Sequence, residues 1–143
     1  MRIVLDTNIW LDWFVFNDPT INTLKTWSAK PENTIVIDEA CKQELISVLA
    51  YKKFSISGDR QQEISETIDD TCSFHITGTT DHQIWCRDPN DEKFLQLALD
   101  SQSTFLLTKD LDLLKKKNYR TRKDNHPSLS ICTPQSWLKL IRN

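Results

Sequence analysis

The chain has 143 residues, of which 38% are hydrophobic and 27% charged, and its formal net charge is −2. These values are typical of one globular domain, expected to span residues 1–143, and they argue against a disordered chain or a polycation. No apolar run approaches the roughly 18–20 residues that span a membrane, so no membrane contact and a cytoplasmic location are expected. Two glycines exclude a glycine-rich phosphate loop, and widely spaced cysteines indicate free structural thiols rather than a zinc site.

Hydrophobic patterning predicts strands and helices that alternate along the chain. The predicted strands are 2–6, 34–37, 73–77, 103–108 and 128–133. The predicted helices are 8–16, a short one ending at Trp27, 39–54, 59–71, 91–101, 110–117 and 135–141, with a loop at 78–90. Such alternation implies a parallel sheet covered on both faces by helices, with functional groups at the carboxyl ends of the strands.

Carboxylates lie at the carboxyl ends of two of the predicted strands. Asp6 is the last residue of the first strand, and Asp110 and Asp112 come after the strand 103–108. Because parallel strands end at one edge of a sheet, these acids are expected to lie close together. An aspartate at a strand–helix junction is also a common helix cap, and that alternative stays open for Asp6 and Asp110.

Glu44 is predicted to lie on the apolar face of the helix 39–54. At 100° per residue it is aligned with Ala40 and Val48. A carboxylate on a buried face costs several kcal/mol unless it is paired or bound to a cation. Either a salt bridge or a metal ion is therefore expected at Glu44.

Three acids crowd residues 88–92, and their predicted roles differ. Asp88 precedes Pro89, a residue type favoured at the first helical position, so Asp88 is the expected cap. Asp91 falls on the apolar face of the next helix, whereas Glu92 lies at the edge of its polar face. Asp91 is therefore the acid expected to face the sheet.

These placements predict a cluster of carboxylates. Two bare carboxylates about 5 Å apart repel by roughly 3 kcal/mol at an effective dielectric of 20, so cations are expected among them. Ligand sets made only of oxygen favour Mg²⁺ or Mn²⁺, and such ions can activate water for phosphodiester hydrolysis. The acids of the predicted cluster are Asp6, Glu44, Asp91 and Asp110, with Asp112 as a fifth.

The acids occur in four segments: LDTN (5–8), CKQELISVL around Glu44, DPNDEKFLQLA (88–98) and LLTKDLDLL (106–114). Their order and spacing resemble the PIN domain family over nearly the whole chain, above all its branch of toxins from toxin–antitoxin systems. The resemblance implies a PIN-like three-layer α/β/α fold with a central parallel sheet of four to five strands. It also implies a metal-dependent endoribonuclease that binds Mg²⁺ or Mn²⁺.

The resemblance also assigns roles to individual residues. It implies that Asp6, Glu44, Asp91 and Asp110 bind the metal, that Asp112 assists, and that Asn8 and Thr108 hydrogen-bond the acids. Lys109 is expected either to pair with a carboxylate or to contact substrate phosphate. Lys116, Lys117 and Arg120 belong to the basic run 115–123, which either holds the RNA backbone or is a solvated surface loop.

Other interpretations stay open at this stage. The aromatic first helix, with Trp10, Trp13 and Phe14, is expected either in the core or at an interface with a second subunit or an antitoxin. A receiver-like phosphoacceptor domain also has aspartates at strand ends, but it does not explain Glu44 or LDTN. A PIN-fold protein that binds nucleic acid or processes DNA outside a toxin–antitoxin pair is a further alternative.

Overall fold

A computed structural model of the chain describes residues 1–78, 92–115, 118–119 and 129–142. In these ranges the strands are β1 (Arg2–Leu5), β2 (Thr34–Ile37), β3 (Cys72–Phe74), β4 (Phe105–Leu107), β5 (Asn118–Tyr119) and β6 (Leu129–Cys132). The helices are α1 (Thr7–Phe14), α2 (Ile21–Ser28), α3 (Glu39–Leu49), α4 (Gly58–Thr71), α5 (Glu92–Asp100), α6 (Leu111–Leu114) and α7 (Pro134–Ile141). A 3-10 turn, Lys52–Phe54, follows α3.

One sheet contains these strands in the order β3-β2-β1-β4-β6-β5. The first five in that order pair in parallel, and β5 pairs antiparallel with β6 at the edge. Helix α3 contacts α1, α4 and α5, while α2 packs against α7, so that helices flank the sheet in a three-layer α/β/α arrangement. The predicted fold class is confirmed, and β5, which lies inside the basic run, is an addition that sequence patterning did not predict.

The strand order removes one alternative function. A receiver-like domain has the order 2-1-3-4-5, in which its third strand pairs with its first. In this chain β3 pairs with β2, and β1 lies between β2 and β4. The receiver-like interpretation is therefore wrong.

The centre of the sheet is apolar because each of its short strands is buried on both faces. Ile3 of β1 is opposite Ile35 on one side and Phe105 on the other. At the carboxyl end of the same ladder Leu5 is opposite Leu107, and the Asp6 N–H donates to the Leu107 carbonyl at 3.0 Å. This register makes the residues that follow β1 and β4 neighbours.

The aromatic side chains of α1 belong mainly to the core. Trp10 and Trp13 are buried, with ring centroids 5.2 Å apart, and the half-buried Phe14 packs against Trp10 at 5.9 Å. On other helices, Trp27 and Trp137 meet edge to face at 5.3 Å and join α2 to α7. The core interpretation of the first helix is thus the one that the structure supports.

Several predicted boundaries differ from the observed ones. The third helix was expected to reach residue 54, but it ends at Leu49 because Tyr51 adopts an extended backbone conformation (φ −62°, ψ 132°). The first helix begins at Thr7, one residue early, since Asp6 caps it. The predicted strand 73–77 is observed as Cys72–Phe74. The predicted cap Asp88 and most of the predicted loop lie outside the described residues.

None of the helices in the described ranges is long and apolar enough to cross a lipid bilayer.

The central ladder predicts where the fold is most sensitive to truncation. Leu106, in the middle of β4, is completely buried, whereas Leu140 of α7 is 54% exposed. Leu106→Ala is expected to lower the free energy of unfolding by about 2–5 kcal/mol, because it removes buried methyl groups and leaves a cavity. Denaturant unfolding measures the loss, and Leu140→Ala is the matched control with an expected change below about 1 kcal/mol. Equal effects of the two substitutions would contradict the described packing.

Candidate active site

Asp6 is a buried carboxylate at the carboxyl end of β1. Its Oδ1 accepts a hydrogen bond of 2.7 Å from the Thr7 N–H, which makes it the cap of α1. Its Oδ2 accepts one of 2.7 Å from the Thr108 hydroxyl and a longer one of 3.3 Å from Asn8 Nδ2. The capping role is therefore real, and Asn8 and Thr108 make the hydrogen bonds to Asp6 that were expected of them.

The surroundings of Asp6 oppose its ionisation. Burial raises the pKa of Asp6 from 3.8 to about 6, although the hydrogen bonds from Thr108 and Thr7 act in the opposite direction. The negative charges of Glu44 and Asp110 raise this pKa further. Glu44 and Asp110 are thus each near enough to repel the Asp6 carboxylate.

Glu44 is a half-buried residue of α3 whose two oxygens have different partners. Oε2 accepts a hydrogen bond from the Thr7 hydroxyl, and Oε1 lies 2.9 Å from Lys93 Nζ of α5. The salt bridge that was one of the two expectations at Glu44 is therefore present. Thr7 connects the two acids, since its N–H binds Asp6 and its hydroxyl binds Glu44.

The predicted position of Glu44 inside the apolar face of α3 was wrong. Of the two residues aligned with it, Ala40 is exposed and Val48 is only half-buried. The buried stripe of the helix is narrower and consists of Cys41, Leu45 and Leu49. Glu44 lies beside this stripe, at the contact between α3 and α5. Its negative charge is therefore paired with Lys93 and is not buried in the core.

Asp110 is the cap of α6, and Thr108 links it to Asp6. Asp110 Oδ1 accepts hydrogen bonds from the N–H groups of Asp112 and Leu113, at 2.8 and 3.1 Å. The Asp110 N–H in turn donates to the Thr108 hydroxyl at 2.9 Å. The carboxylate of Asp112 lies 3.9 Å from Lys115 on a more exposed side of the helix. Its assistance in metal binding stays a prediction.

The sequence did not predict the ion pairs that Asp12 and Lys93 form near the site. Asp12 of α1 is buried, and its carboxylate lies 2.6 Å from Lys109 Nζ. Lys109 thus takes the carboxylate-pairing option, while almost half of its side chain stays exposed. The only sequence signal for Asp12 was an acid set among the aromatic residues of the first helix. Lys93, the partner of Glu44, was not among the predicted site residues.

The described thiols offer no nucleophile or metal ligand at neutral pH. Cys41, Cys72 and Cys132 are free, as expected. Burial raises the pKa of Cys72 to about 12 and that of Cys132 to about 11, and it raises the pKa of Cys41 still more. These thiols therefore stay protonated, and the chemistry of the site depends on its oxygen ligands.

The donor chemistry at Asp6 fits a hard divalent cation, although the described residues do not form a complete set of ligands. In the ranges 1–78, 92–115 and 129–142, no three His, Cys, Asp or Glu side chains are arranged to hold a metal ion by themselves. Carboxylate oxygens predominate at the site, and Asn8 Oδ1 is buried there without a hydrogen-bond partner in the described part of the chain. Oxygen donors of this kind suit Mg²⁺ or Mn²⁺.

Four predicted site residues cannot be placed in this geometry. The fourth acid, Asp91, and the basic residues Lys116, Lys117 and Arg120 lie outside the described residues. Their roles stay predictions. Asp91 directly precedes α5, the helix that brings Lys93 to Glu44.

Comparison with known families identifies the class of protein that this fold and site define. The profile of the PIN domain matches residues 2–112, and the chain belongs to that family. PIN domains are generally nucleases and generally use divalent metal ions. The resemblance inferred from the four acidic segments is thereby confirmed.

Two solved structures share the fold. VapBC2 from Rickettsia felis, in a crystal structure with a DNA fragment from their promoter, is 17% identical, with a TM-score of 0.61 over 92% of this chain and 98% of that chain. VapBC-1 from nontypeable Haemophilus influenzae, at 2.2 Å resolution, is 18% identical, with a TM-score of 0.54 over 78% of this chain and 88% of that chain. No curated protein matches the sequence significantly.

The raised pKa of Asp6 predicts how stability depends on pH. The folded chain binds a proton at Asp6 between pH 3.8 and about 6, where the unfolded chain has released it, so stability falls as pH rises through this window. In a chelator at pH 7.5, Asp6→Asn is therefore expected to raise the free energy of unfolding by about 1–3 kcal/mol. Asparagine keeps a capping oxygen for the Thr7 N–H and has no charge to bury. Its NH2 group cannot accept the hydrogen bonds that Oδ2 accepts from Thr108 and Asn8, so the expected gain is smaller than the full pKa shift of Asp6 would give.

Denaturant unfolding of both proteins from pH 3.5 to 8 measures this difference. The advantage of Asp6→Asn should disappear below pH 4, where Asp6 is protonated in both states. If the wild type is at least as stable as the variant at pH 7.5, burial of the ionised Asp6 carboxylate does not lower the free energy of unfolding.

Proposed function

We propose that this PIN domain is a metal-dependent endoribonuclease that hydrolyses RNA phosphodiester bonds, and that it is the toxin of a toxin–antitoxin pair. The observation that carries the proposal is the buried Asp6 carboxylate, whose charge is opposed by Glu44 and Asp110 and whose orientation is fixed by three donors. A protein that only binds nucleic acid has no need for repelling carboxylates at one point. Perturbed acids of this kind are characteristic of active sites.

The metal ligands in this proposal are Asp6, Glu44, Asp91 and Asp110, with Asp112 assisting. When bound to them, Mg²⁺ or Mn²⁺ supplies the positive charge that activates water and stabilises the charge developing on the phosphate. The polar neighbours of these acids hold them in place: Thr7 and Thr108 orient Asp6, and the N–H groups of α6 orient Asp110. Asn8 holds the same Asp6 oxygen as Thr108.

The chain's residues thus place the scissile phosphate and do not attack it. In-line attack by water, which we propose here, leaves a 5′-phosphate and a 3′-hydroxyl and needs no covalent intermediate with the protein. Lys109 precedes Asp110 in the chain and pairs with Asp12. Because almost half of its side chain is exposed, we assign the N–H groups of its ammonium that do not bind Asp12 to a phosphate at that edge. We propose that Lys116, Lys117 and Arg120 contact phosphates of the RNA strand farther from the cleaved bond.

The biological role is proposed from resemblance. The acidic segments are similar to those of the toxin branch of the family, and both structural neighbours are VapBC toxin–antitoxin complexes. An antitoxin is therefore the proposed protein partner, and a homodimer is the proposed assembly. A small protein encoded next to this chain, which binds it on co-expression and suppresses its toxicity, would support this assignment. An unchanged activity in its presence would argue for a PIN nuclease that works alone.

The catalytic assignment predicts the effect of removing one charge. Asp6→Asn is expected to lower RNA cleavage by at least about 100-fold, because the site loses its most central metal ligand. The measurement is cleavage of a defined single-stranded RNA, and of the DNA of the same sequence, with Mg²⁺, with Mn²⁺ and with a chelator. Asp59→Asn, at an exposed acid in the first turn of α4, is the matched control and should leave activity unchanged.

Three results of this experiment would contradict the proposal. They are full activity of Asp6→Asn, full activity in the chelator, and cleavage of DNA with no cleavage of RNA. Because Asp6→Asn is expected to be more stable than the wild type, unfolding of the variant would not account for a loss of activity.

The salt bridge of Glu44 predicts competition between Lys93 and the metal. Lys93→Gln frees Glu44 Oε1, so Mn²⁺ affinity is expected to rise by about two- to fivefold, the equivalent of one partly exposed ion pair. Isothermal titration calorimetry with Mn²⁺ measures the change. Lys42→Gln is the control, since it removes a lysine of α3 that pairs with Asp69 instead. A weaker Mn²⁺ affinity in Lys93→Gln would mean that Lys93 orients Glu44 for the metal instead of competing with it.

A further inference from the structure

Three aromatic side chains form a cluster on the surface where α1 and α3 end. Phe16 follows α1, and Tyr51 and Phe54 belong to the turn after α3. The ring of Phe54 meets Phe16 edge to face at 6.0 Å and lies nearly parallel to Tyr51 at 6.5 Å. Phe16 is 60% exposed and Tyr51 is 51% exposed, which is unusual for two aromatic side chains that touch the same third ring. We call these three residues the aromatic platform.

The aromatic platform is flanked by positive charge. Lys52 and Lys53 are exposed residues of the same turn. The Lys53 ammonium lies 5.1 Å from the ring centroid of Phe54 and 5.9 Å from that of Tyr51. Across the part of the chain that the structure describes, neither lysine forms a salt bridge with a carboxylate. Both ammonium groups are therefore available to an anion that reaches the rings.

The backbone holds this arrangement in a defined shape. Tyr51 is extended, the following residues form a 3-10 turn, and Ser55 closes it with a positive φ of 51°. The Ser55 N–H donates to the Lys52 carbonyl at 3.0 Å, and the Phe54 N–H donates to the Tyr51 carbonyl at 3.1 Å. Rings fixed in this way lose little freedom when a ligand stacks on them.

The aromatic platform lies at the ends of α1 and α3, and both helices also carry acids of the site. Helix α1 starts at its cap Asp6 and leads to Phe16. Helix α3 contains Glu44 and continues for five residues to Leu49, about 7.5 Å at 1.5 Å per residue, and Tyr51 is the second residue after its end. Helix α1 has eight residues and is therefore about 12 Å long, so the aromatic platform lies roughly one helix length from the acids.

We propose that the aromatic platform is a subsite for single-stranded RNA, in which bases stack on Tyr51 and Phe16 while Lys52 and Lys53 contact the adjoining phosphates. This combination of exposed rings and cations is how proteins bind single strands without reading their sequence. The lysines favour RNA over a protein partner, because lysine is depleted from the cores of protein interfaces. The inference rests on the proposed function, since the subsite would hold nucleotides that flank the bond cleaved at the acids.

Fluorescence anisotropy with a labelled, unstructured oligouridylate tests the proposal in a chelator, where binding is measured without cleavage. The double variant Phe16→Ala/Tyr51→Ala is expected to bind this RNA at least about tenfold more weakly, through lost stacking. Tyr51→Trp should bind it equally well or more tightly. Phe74→Ala is the matched control, because Phe74 is a 52% exposed aromatic residue of β3 outside the aromatic platform, and its affinity should stay within about twofold of wild type.

The lysines are tested through the salt dependence of the same binding. Lys52→Gln/Lys53→Gln should reduce the slope of log affinity against log salt by roughly 1.4, which corresponds to two phosphate contacts on a single strand. Wild-type affinity in the aromatic double variant, or an equal loss in Phe74→Ala, would overturn the proposal. The proposal would also be overturned if the aromatic double variant lost binding to a co-expressed protein partner while its RNA affinity stayed unchanged. That result would identify the aromatic platform as a protein interface.

The same samples separate this inference from the proposed function. Cleavage by the wild type, together with RNA affinity that does not depend on the rings, refutes the subsite and leaves the nuclease assignment intact. Binding that depends on the rings, in a wild type that does not cleave RNA with any metal, refutes the nuclease assignment and leaves the subsite. Thermal unfolding confirms that the variants are folded, as expected for exposed side chains.

Discussion

The hydrogen bond from the Thr108 hydroxyl to Asp6 joins the ends of two neighbouring parallel strands, and the rest of the site depends on it. Thr108 is completely buried, and its oxygen also accepts the N–H of Asp110, so one hydroxyl fixes two of the acids relative to each other. The register of β1 and β4 makes this possible by placing Leu5 opposite Leu107. A one-residue slip would turn every side chain of the strand to the other face of the sheet. The apolar ladder at the centre of the sheet therefore determines the geometry of the polar groups at its edge.

Lysines within the chain counter part of the negative charge at this edge. Lys93 ties α5 to α3 through Glu44, and Lys109 ties the end of β4 to α1 through Asp12. Asp12 is buried, so loss of Lys109 would leave an uncompensated charge near the core. These ion pairs therefore connect the packing of three helices to the charge state of the site. Within the described part of the chain, the groups that hydrogen-bond to Asp6 are a hydroxyl, an amide and a backbone N–H and include no lysine, and burial raises the pKa of Asp6.

The sequence predicted those features that depend on local pattern. The second strand was predicted with its observed ends, and the helix-cap alternative that was left open for Asp6 is the role it has at α1. Asp6 and Asp110 were placed at one edge of the sheet because acids that follow parallel strands must end there. Patterning failed where the answer depended on which elements pack together. The helical periodicity of a single helix could not show that α5 brings Lys93 to Glu44. The sequence also did not identify Asp12 as the partner of Lys109.

Asp6 and Thr108 are separated by 102 positions in the chain, which has a consequence for how the protein is made. During synthesis Asp6 leaves the ribosome 102 residues before Thr108. Contacts of such high sequence separation also form slowly, because a long loop must close before they contribute any stability. A nascent chain, or one truncated before β4, therefore contains Asp6 and Glu44 without the strand that orders them. In the proposed nuclease, the edge that holds these acids is therefore assembled only after β4 has been synthesised.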